Sequence, residues 1–283
     1  MKQKTKVMVQ NSMINLLKKI VLLVMLVLIL FPLVWILLTS LKDKTEIYIF
    51  PVRYWPSQPT FKNYEELFSI SNFGVYFMNS LTVSLVGAAG AMICSIMSAY
   101  ILARFQFKGK KSLMFAFLFT QMVPMFIILA PLYTFMSRLN LINHPGSLML
   151  SYMVMNIPYS TVTLRGFFQR IPGSLEEAAQ IDGCNRIQSL LRVVIPVMSS
   201  GIAATFMFIF VQCWNEVFLA IMFIDVEKYK TIPVALNSFI MKYDINWGAL
   251  SAGIVVSILP TIFMFTFVQK YIATGLTAGA VKG

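Results

Sequence analysis

Few side chains in this 283-residue sequence are placed to do chemistry, and their surroundings say which kind. Glu216 lies in an apolar run from Val197 to Ile224, with Gln212 four residues before it and Asn215 beside it. A carboxylate at the centre of a lipid-facing helix costs about 2.5–3.5 kcal/mol, less towards an end, so Glu216 must face a cavity or a polar partner. Thr205, Gln212 and Glu216, seven and four residues apart, share a helix face, with Phe208 and Ile209 between them and Trp214 pointing elsewhere. Amides and carboxylates bind sugar hydroxyls and aromatic rings pack on sugar faces. Two readings stay open: a solute pathway, or a gate and helix tie.

Catalytic constellations are missing. The single histidine, His144, sits in a loop before Pro145 and reads as solvated. Cys94, Cys184 and Cys213 are odd in number and two fall in apolar runs, so neither a disulfide framework nor a metal set follows. The Gly109–Ser112 stretch GKKS resembles part of a phosphate loop, but Arg104 stands where the earlier glycine belongs. It reads as a basic anchor beside the membrane. No catalytic residue, no metal and no cofactor is expected on this chain.

The longest polar interruption that also carries helix signals and dense charge is Ile171–Pro196, IPGSLEEAAQIDGCNRIQSLLRVVIP, with three of the eleven acids: Glu176, Glu177 and Asp182. Ser174 and Glu177 have the spacing of a capping box after Pro172-Gly173. The helix they start should end at Gly183, which tolerates the left-handed conformation. Asn185 should cap a second helix running to about Pro196. Ala178 and Ala179 are small enough for a partner to approach closely, and the three acids offer charge to a basic groove. The segment is either a docking lever for a partner outside the membrane or a plain amphipathic loop.

The elements that must position these groups are apolar helices. Hydrophobic residues make up 58% of the chain and charged ones 12%, against about 25% in soluble domains. The net charge of +12 does not imply nucleic acid, because the basic residues cluster beside apolar runs. The unbroken apolar run Ile20–Leu38 is too long for a cleaved signal and reads as a retained span. Spans are expected at about 17–40, 75–103, 113–136, 147–168, 197–224 and 248–271. The second is rich in small residues, with Gly87 and Ala91 four apart, which permits close helix packing. The 41–73 excursion holds a short helix capped by Asn63, with Tyr54 and Trp55 at the interface. Fifteen of the 23 Lys and Arg residues fall on the side of the N-terminus. That places both termini and the 169–196 loop in the cytoplasm. The fold class is all-α: a basic tail 1–19, a first span 20–40, an extracytoplasmic segment 41–73, a five-span core 74–272 and a tail 273–283.

The pattern Glu177-Ala178-Ala179-x-x-Asp182-Gly183, followed by Val193-Val194-Ile195-Pro196, resembles the EAA motif of ABC importer permeases. The family has Ile and Leu where this chain has Val193 and Ile195, and the spacing from Gly183 to Pro196 agrees. Trp214-Asn215-Glu216 and the terminal run Gly275–Gly283 are similar to the carbohydrate-uptake branch, in particular to the second permease subunit of maltose/maltodextrin-type importers. The resemblance covers about 73–283 and implies a type I importer fold. It makes Glu176, Glu177, Ala178, Ala179, Asp182 and Gly183 an ATPase-coupling loop, and Gly279, Lys282 and Gly283 an ATPase-contacting tail. It implies a second permease subunit in a heterodimer, two ATP-binding-cassette ATPases that hold the ATP and Mg, and an extracytoplasmic solute-binding protein. A permease for glycerol phosphate or a polyamine, or an ion-coupled secondary transporter, is the alternative. No span carries, away from its ends, the Lys or Arg an anionic solute would favour, and one buried acid without an inverted repeat argues against the secondary transporter.

Overall fold

The computed structural model describes residues 2–70, 72–240 and 245–280. Among them there are helices and no strand. In chain order the α-helices are α1 (Lys2–Ser40), α2 (Lys44–Ile47), α3 (Lys62–Ile70), α4 (Phe73–Arg104), α5 (Lys110–Thr120), α6 (Met125–Arg138), α7 (Pro145–Arg170), α8 (Ser174–Ile181), α9 (Arg186–Ser189), α10 (Ile195–Val197), α11 (Ser199–Trp214), α12 (Phe218–Phe223), α13 (Ile232–Ile240) and α14 (Trp247–Ala280). A π-turn, Leu190–Val194, joins α9 to α10, and a 3₁₀ turn spans Glu227–Tyr229. By Cα packing the chain divides into two units, residues 1–71 with 239–256, and residues 72–238 with 257–283.

In the first unit α1 exposes apolar side chains all round from Met13 to Leu30, the pattern of a helix solvated by lipid. Its last turn is stapled by α3. Asn63 does not cap that helix as expected, because α3 already begins at Lys62. Its amide instead donates to the carbonyls of Ser40 at 2.9 Å and Lys42 at 2.7 Å. Those are acceptors that a helix end leaves unpaired, so the side chain serves the end of α1 rather than the start of α3. A Cβ on Gly248 would lie 2.2 Å from the Asn63 amide oxygen, so only glycine lets α14 begin there. Glu46 accepts from the Ser57 amide at 2.9 Å and the Ser57 hydroxyl at 2.8 Å, holding the intervening loop closed.

The second unit is built on α4 against α7. The small residues Ser84, Gly87, Ala88, Ala91, Ser95 and Ala99 are buried along α4. A Cβ on Gly87 would meet the Tyr152 Cβ at 2.8 Å, which shows how closely the two backbones approach. The helix α11 packs against both. Two expected continuous spans are broken. The first splits into α5 and α6, bent by 100°. Pro124 causes the break: it has no N–H to donate, its ring pushes Val123 out of the helical region, and it serves as the N-cap of α6. The second splits at Asn215–Val217 into α11 and α12. Among the described residues three helices are long and apolar enough to cross a membrane, or five if α5 with α6, and Arg186–Val197 with α11 (bent by 81°), each make one span. The helix α7, 26 residues long, is not among them, and it carries Ser151, Asn156, Ser160 and Thr161.

The corner before α7 and the loop after α12 fasten to each other. Asn143 adopts a left-handed φ of 59°, and its side-chain oxygen accepts from the amides of Asp225 at 2.7 Å and Val226 at 3.1 Å. His144 caps α7, its Nδ1 accepting from the Gly146 amide. The start of α4 holds the same loop. Tyr76 donates to Glu227, the Asn79 amide to the carbonyls of Lys228 and Lys230, and the Ser80 hydroxyl accepts from the Ile232 amide.

Candidate functional site

The Ile171–Pro196 segment forms a bent lever of α8, α9, the π-turn and α10. Gly183 ends α8 with φ +88°, where a side chain would be strained. The amide of Cys184 bonds back to the Ala179 carbonyl at 2.9 Å and that of Gly183 to Gln180 at 3.1 Å, which makes the end a Schellman motif. Asn185 and Gln188 form a capping box on α9, each side chain bonding the other's backbone amide at 2.9 Å. The box expected at Ser174 and Glu177 is not formed. Gly173 is helical and acts as N-cap, so Ser174 falls inside the first turn, where its hydroxyl has no cap to make.

The lever has two faces. Ile171, Glu176, Ala179, Ser189 and Val194 are buried. Glu177, Ala178, Asp182 and Gly183 face outward, beside Leu175, Ile181, Ile187 and Leu191, of which Ile181 is 86% exposed and Ile187 70%. Glu176, expected among the charges offered to a partner, is instead 5% exposed and turned inward. Arg104 Nε donates to its Oε1 at 2.6 Å and the Tyr100 hydroxyl to its Oε2 at 2.9 Å. Ala179 is likewise covered by its own chain. A carboxylate and a methyl one helical turn apart share a face, and this face packs on the chain itself.

The second constellation is a cavity of about 390 Å3 in the second unit, lined by Gln212, Asn215 and Glu216. Tyr152, Asn156, Tyr159 and Phe208 complete the wall that matters. The Glu216 carboxylate accepts the Tyr152 hydroxyl at 3.0 Å and the amides of Leu219 at 2.8 Å and Ala220 at 3.2 Å. It therefore caps α12, which explains the helix break: the side chain takes the first free amides of a new helix and the old one stops at Trp214. Tyr159 and Phe208 bring their rings to 4.5 Å, an aromatic wall beside the polar end. Asn156 donates to the Tyr152 carbonyl at 2.8 Å. Thr205 is not on this wall; it is buried and bonds the Gly201 carbonyl at 2.7 Å. Trp214 points away, donating to the Ser257 carbonyl at 3.0 Å.

A model of the family described as binding-protein-dependent transport system inner membrane component matches residues 91–277. The chain belongs to that family. It is a multi-pass inner-membrane transport component, and the permease is similar over nearly its whole length to named relatives. It is 36% identical over 254 residues to the sulfoquinovosyl glycerol transport system permease protein SmoH of Agrobacterium fabrum, covering 90% of this chain and 89% of the relative. It is 32% identical to the diacetylchitobiose uptake system permease protein DasC of Streptomyces coelicolor, covering 89% and 92%. Its fold matches a crystal structure of a bacterial ABC transporter involved in the import of the acidic polysaccharide alginate. The TM-score is 0.82 with 22% identity, covering 93% of the permease and 97% of that chain. Both the lever and the cavity fall inside the matched region.

Tyr152, Asn156 and Tyr159 were not singled out together from sequence, although their spacing of four and three is that of one helix face. Arg104 and Tyr100 carried no such signal, because their partner Glu176 lies 72 and 76 residues away. Gly279 falls within α14, and Lys282 and Gly283 lie outside the described residues.

Proposed function

We propose that the permease is the non-catalytic membrane subunit of an ATP-driven importer for a sugar or oligosaccharide. It works with a second permease, two ATP-binding-cassette ATPases that hold the ATP and Mg, and an extracytoplasmic solute-binding protein. The observation that carries this is the two-faced lever. Its inner face is locked to α4, while Glu177, Ala178, Asp182 and the large apolar side chains Leu175, Ile181, Ile187 and Leu191 are exposed on the outer face. Exposed apolar side chains grouped with charge mark a protein interaction surface. Closure of the ATPases on ATP moves the lever, and the helices switch the cavity between its two openings. The membrane topology is six spans, with α5–α6 and α11–α12 as broken ones, α7 as the most polar, and the lever, both termini and the Gly279–Gly283 tail in the cytoplasm.

The sugar assignment is supported by the names of the relatives and by the cavity. Tyr159 and Phe208 offer a flat apolar wall, Gln212 and Asn215 offer amides, and Glu216 holds the polar end in place through Tyr152 and the start of α12. The lining holds that acid and no lysine or arginine, which favours a neutral hydroxylated ligand. The test is Glu177→Lys in the reconstituted complex. The variant is expected to insert and assemble but to stop uptake, because the charge it reverses lies on the outward face. Full uptake in vesicles overturns the coupling role.

A further inference from the structure

The lever is fastened to the rest of its unit by one buried charge pair. Arg104 is the last residue of α4 and Tyr100 lies one turn before it. Arg104 Nε bonds Glu176 at 2.6 Å while its other arm donates to the Ile171 carbonyl at 3.0 Å. The two side chains are 17% and 7% exposed, so water screens them little. On the lever side the Glu176 carbonyl accepts the Gln180 amide at 3.2 Å and the Ser189 hydroxyl at 3.5 Å, so the same residue ties α8 to α9. The guanidinium of Arg186, the first residue of α9, stacks 5.2 Å over the Phe105 ring just past Arg104. The buried apolar side chains of the lever, Ile171, Ala179 and Val194, give a hold without direction that can slide over a surface. A forked guanidinium on a carboxylate and a carbonyl cannot slide without breaking.

We infer that the Glu176–Arg104 pair, with Tyr100, is the link through which a displaced lever moves α4, which makes Glu176 a positioning residue for transport and not a docking residue. This rests on the reading that partner ATPases grip the outward face. The 32-residue helix α4 then carries the motion to Tyr76 and Asn79, which hold the 227–230 loop near its other end. Breaking the pair should leave docking intact and lose the transfer of motion.

The experiment uses the full complex, with second permease, ATPases and binding protein, in proteoliposomes. It reads ATPase stoichiometry by co-purification, hydrolysis rate, and solute imported per ATP. Glu176→Gln and Arg104→Gln are expected to keep the ATPases bound and hydrolysing while solute per ATP falls about tenfold, in the usual range of coupling between sites. The double variant should be no worse than the worse single, because both remove one contact. Arg104→Lys, which keeps the charge but not the fork, should fall between. If the single variants fail to fold, the packed neutral pair Glu176→Leu with Arg104→Met restores stability without the charge and should stay uncoupled. A normal solute-per-ATP ratio in that pair or in Glu176→Gln overturns the link, as does loss of the ATPases from Glu176→Gln. Glu177→Lys separates the two readings: if it is inactive while Glu176→Gln is normal, only the link fails, and if it transports fully, docking itself fails.

Discussion

Replacing Glu216 by alanine removes one acceptor from three donors at once. The amides of Leu219 and Ala220 lose a cap bonded at 2.8 and 3.2 Å, and the Tyr152 hydroxyl loses its partner at 3.0 Å. Loss of an N-cap costs about 1 kcal/mol. A buried hydroxyl left without a partner costs about 1–3 kcal/mol, and Tyr152 is 3% exposed. The cavity beside it admits water, which favours the low end, so about 2 kcal/mol is expected in all. The six-residue α12 cannot hold itself by propensity, so the loss should appear there first. Hydrogen exchange at the Leu219 and Ala220 amides should speed up about 30-fold, the factor that 2 kcal/mol gives. Glu216→Gln keeps an acceptor and should lose about half as much, and Tyr152→Phe removes one donor and should leave both amides protected. Transport by Glu216→Ala is expected to fall mainly in maximal rate, with apparent affinity for the solute little changed. Unchanged exchange together with a large loss of affinity would falsify the capping role and make Glu216 a ligand of the solute.

Gly87→Ala places a methyl 2.8 Å from the Tyr152 Cβ, a backbone-fixed atom that cannot rotate away. Overpacking at about 1–3 kcal/mol outweighs a helix-propensity gain of about 1 kcal/mol, so the melting temperature of the complex should drop. Gly74→Ala, on the same helix with nothing within 4 Å, should not lower it. The Ser57 hydroxyl, then its amide, hold the Glu46 carboxyl below its usual pKa, with burial opposing. A depressed folded pKa contributes stability that is complete above the unfolded value of 4.5 and is lost as pH falls through the folded one. Exchange at the Ser57 amide should therefore stay slow from about pH 6 to below 4.5 and quicken in more acid solution, and Glu46→Gln should remove that dependence.

What could be read from the sequence was what local pattern determines. The long apolar helices α1, α4 and α14 follow from apolar length, and Gly183 and Asn185 act at the lever's bend because both roles are set by neighbours within five residues. The breaks at Pro124 and Glu216 were hidden. A proline in a membrane helix is often tolerated, and the apolar run through Glu216 gives no sign that its carboxylate will cap a new helix. Asn63 and Ser174 misled for one reason: each precedes a helical pattern by the right distance, but the helices start earlier, at Lys62 and at Ser174 itself, which changes the side chain's place in the turn. The inward turn of Glu176 depends on Arg104, and the hold on Glu216 on Tyr152, pairs 72 and 64 residues apart that only packing brings together.

The bend at Gly183 has an evolutionary consequence. Its geometry is held by backbone bonds from Cys184 and Gly183 and by the Asn185–Gln188 pair, none of which needs Leu175, Glu177, Ile181 or Ile187. Shape and recognition are therefore written in separate residues. On the proposed docking role, mutations on the outward face can drift towards a different partner without altering the angle at which the lever stands. On that reading a lineage can change its partner one surface residue at a time, keeping the same bend at every step.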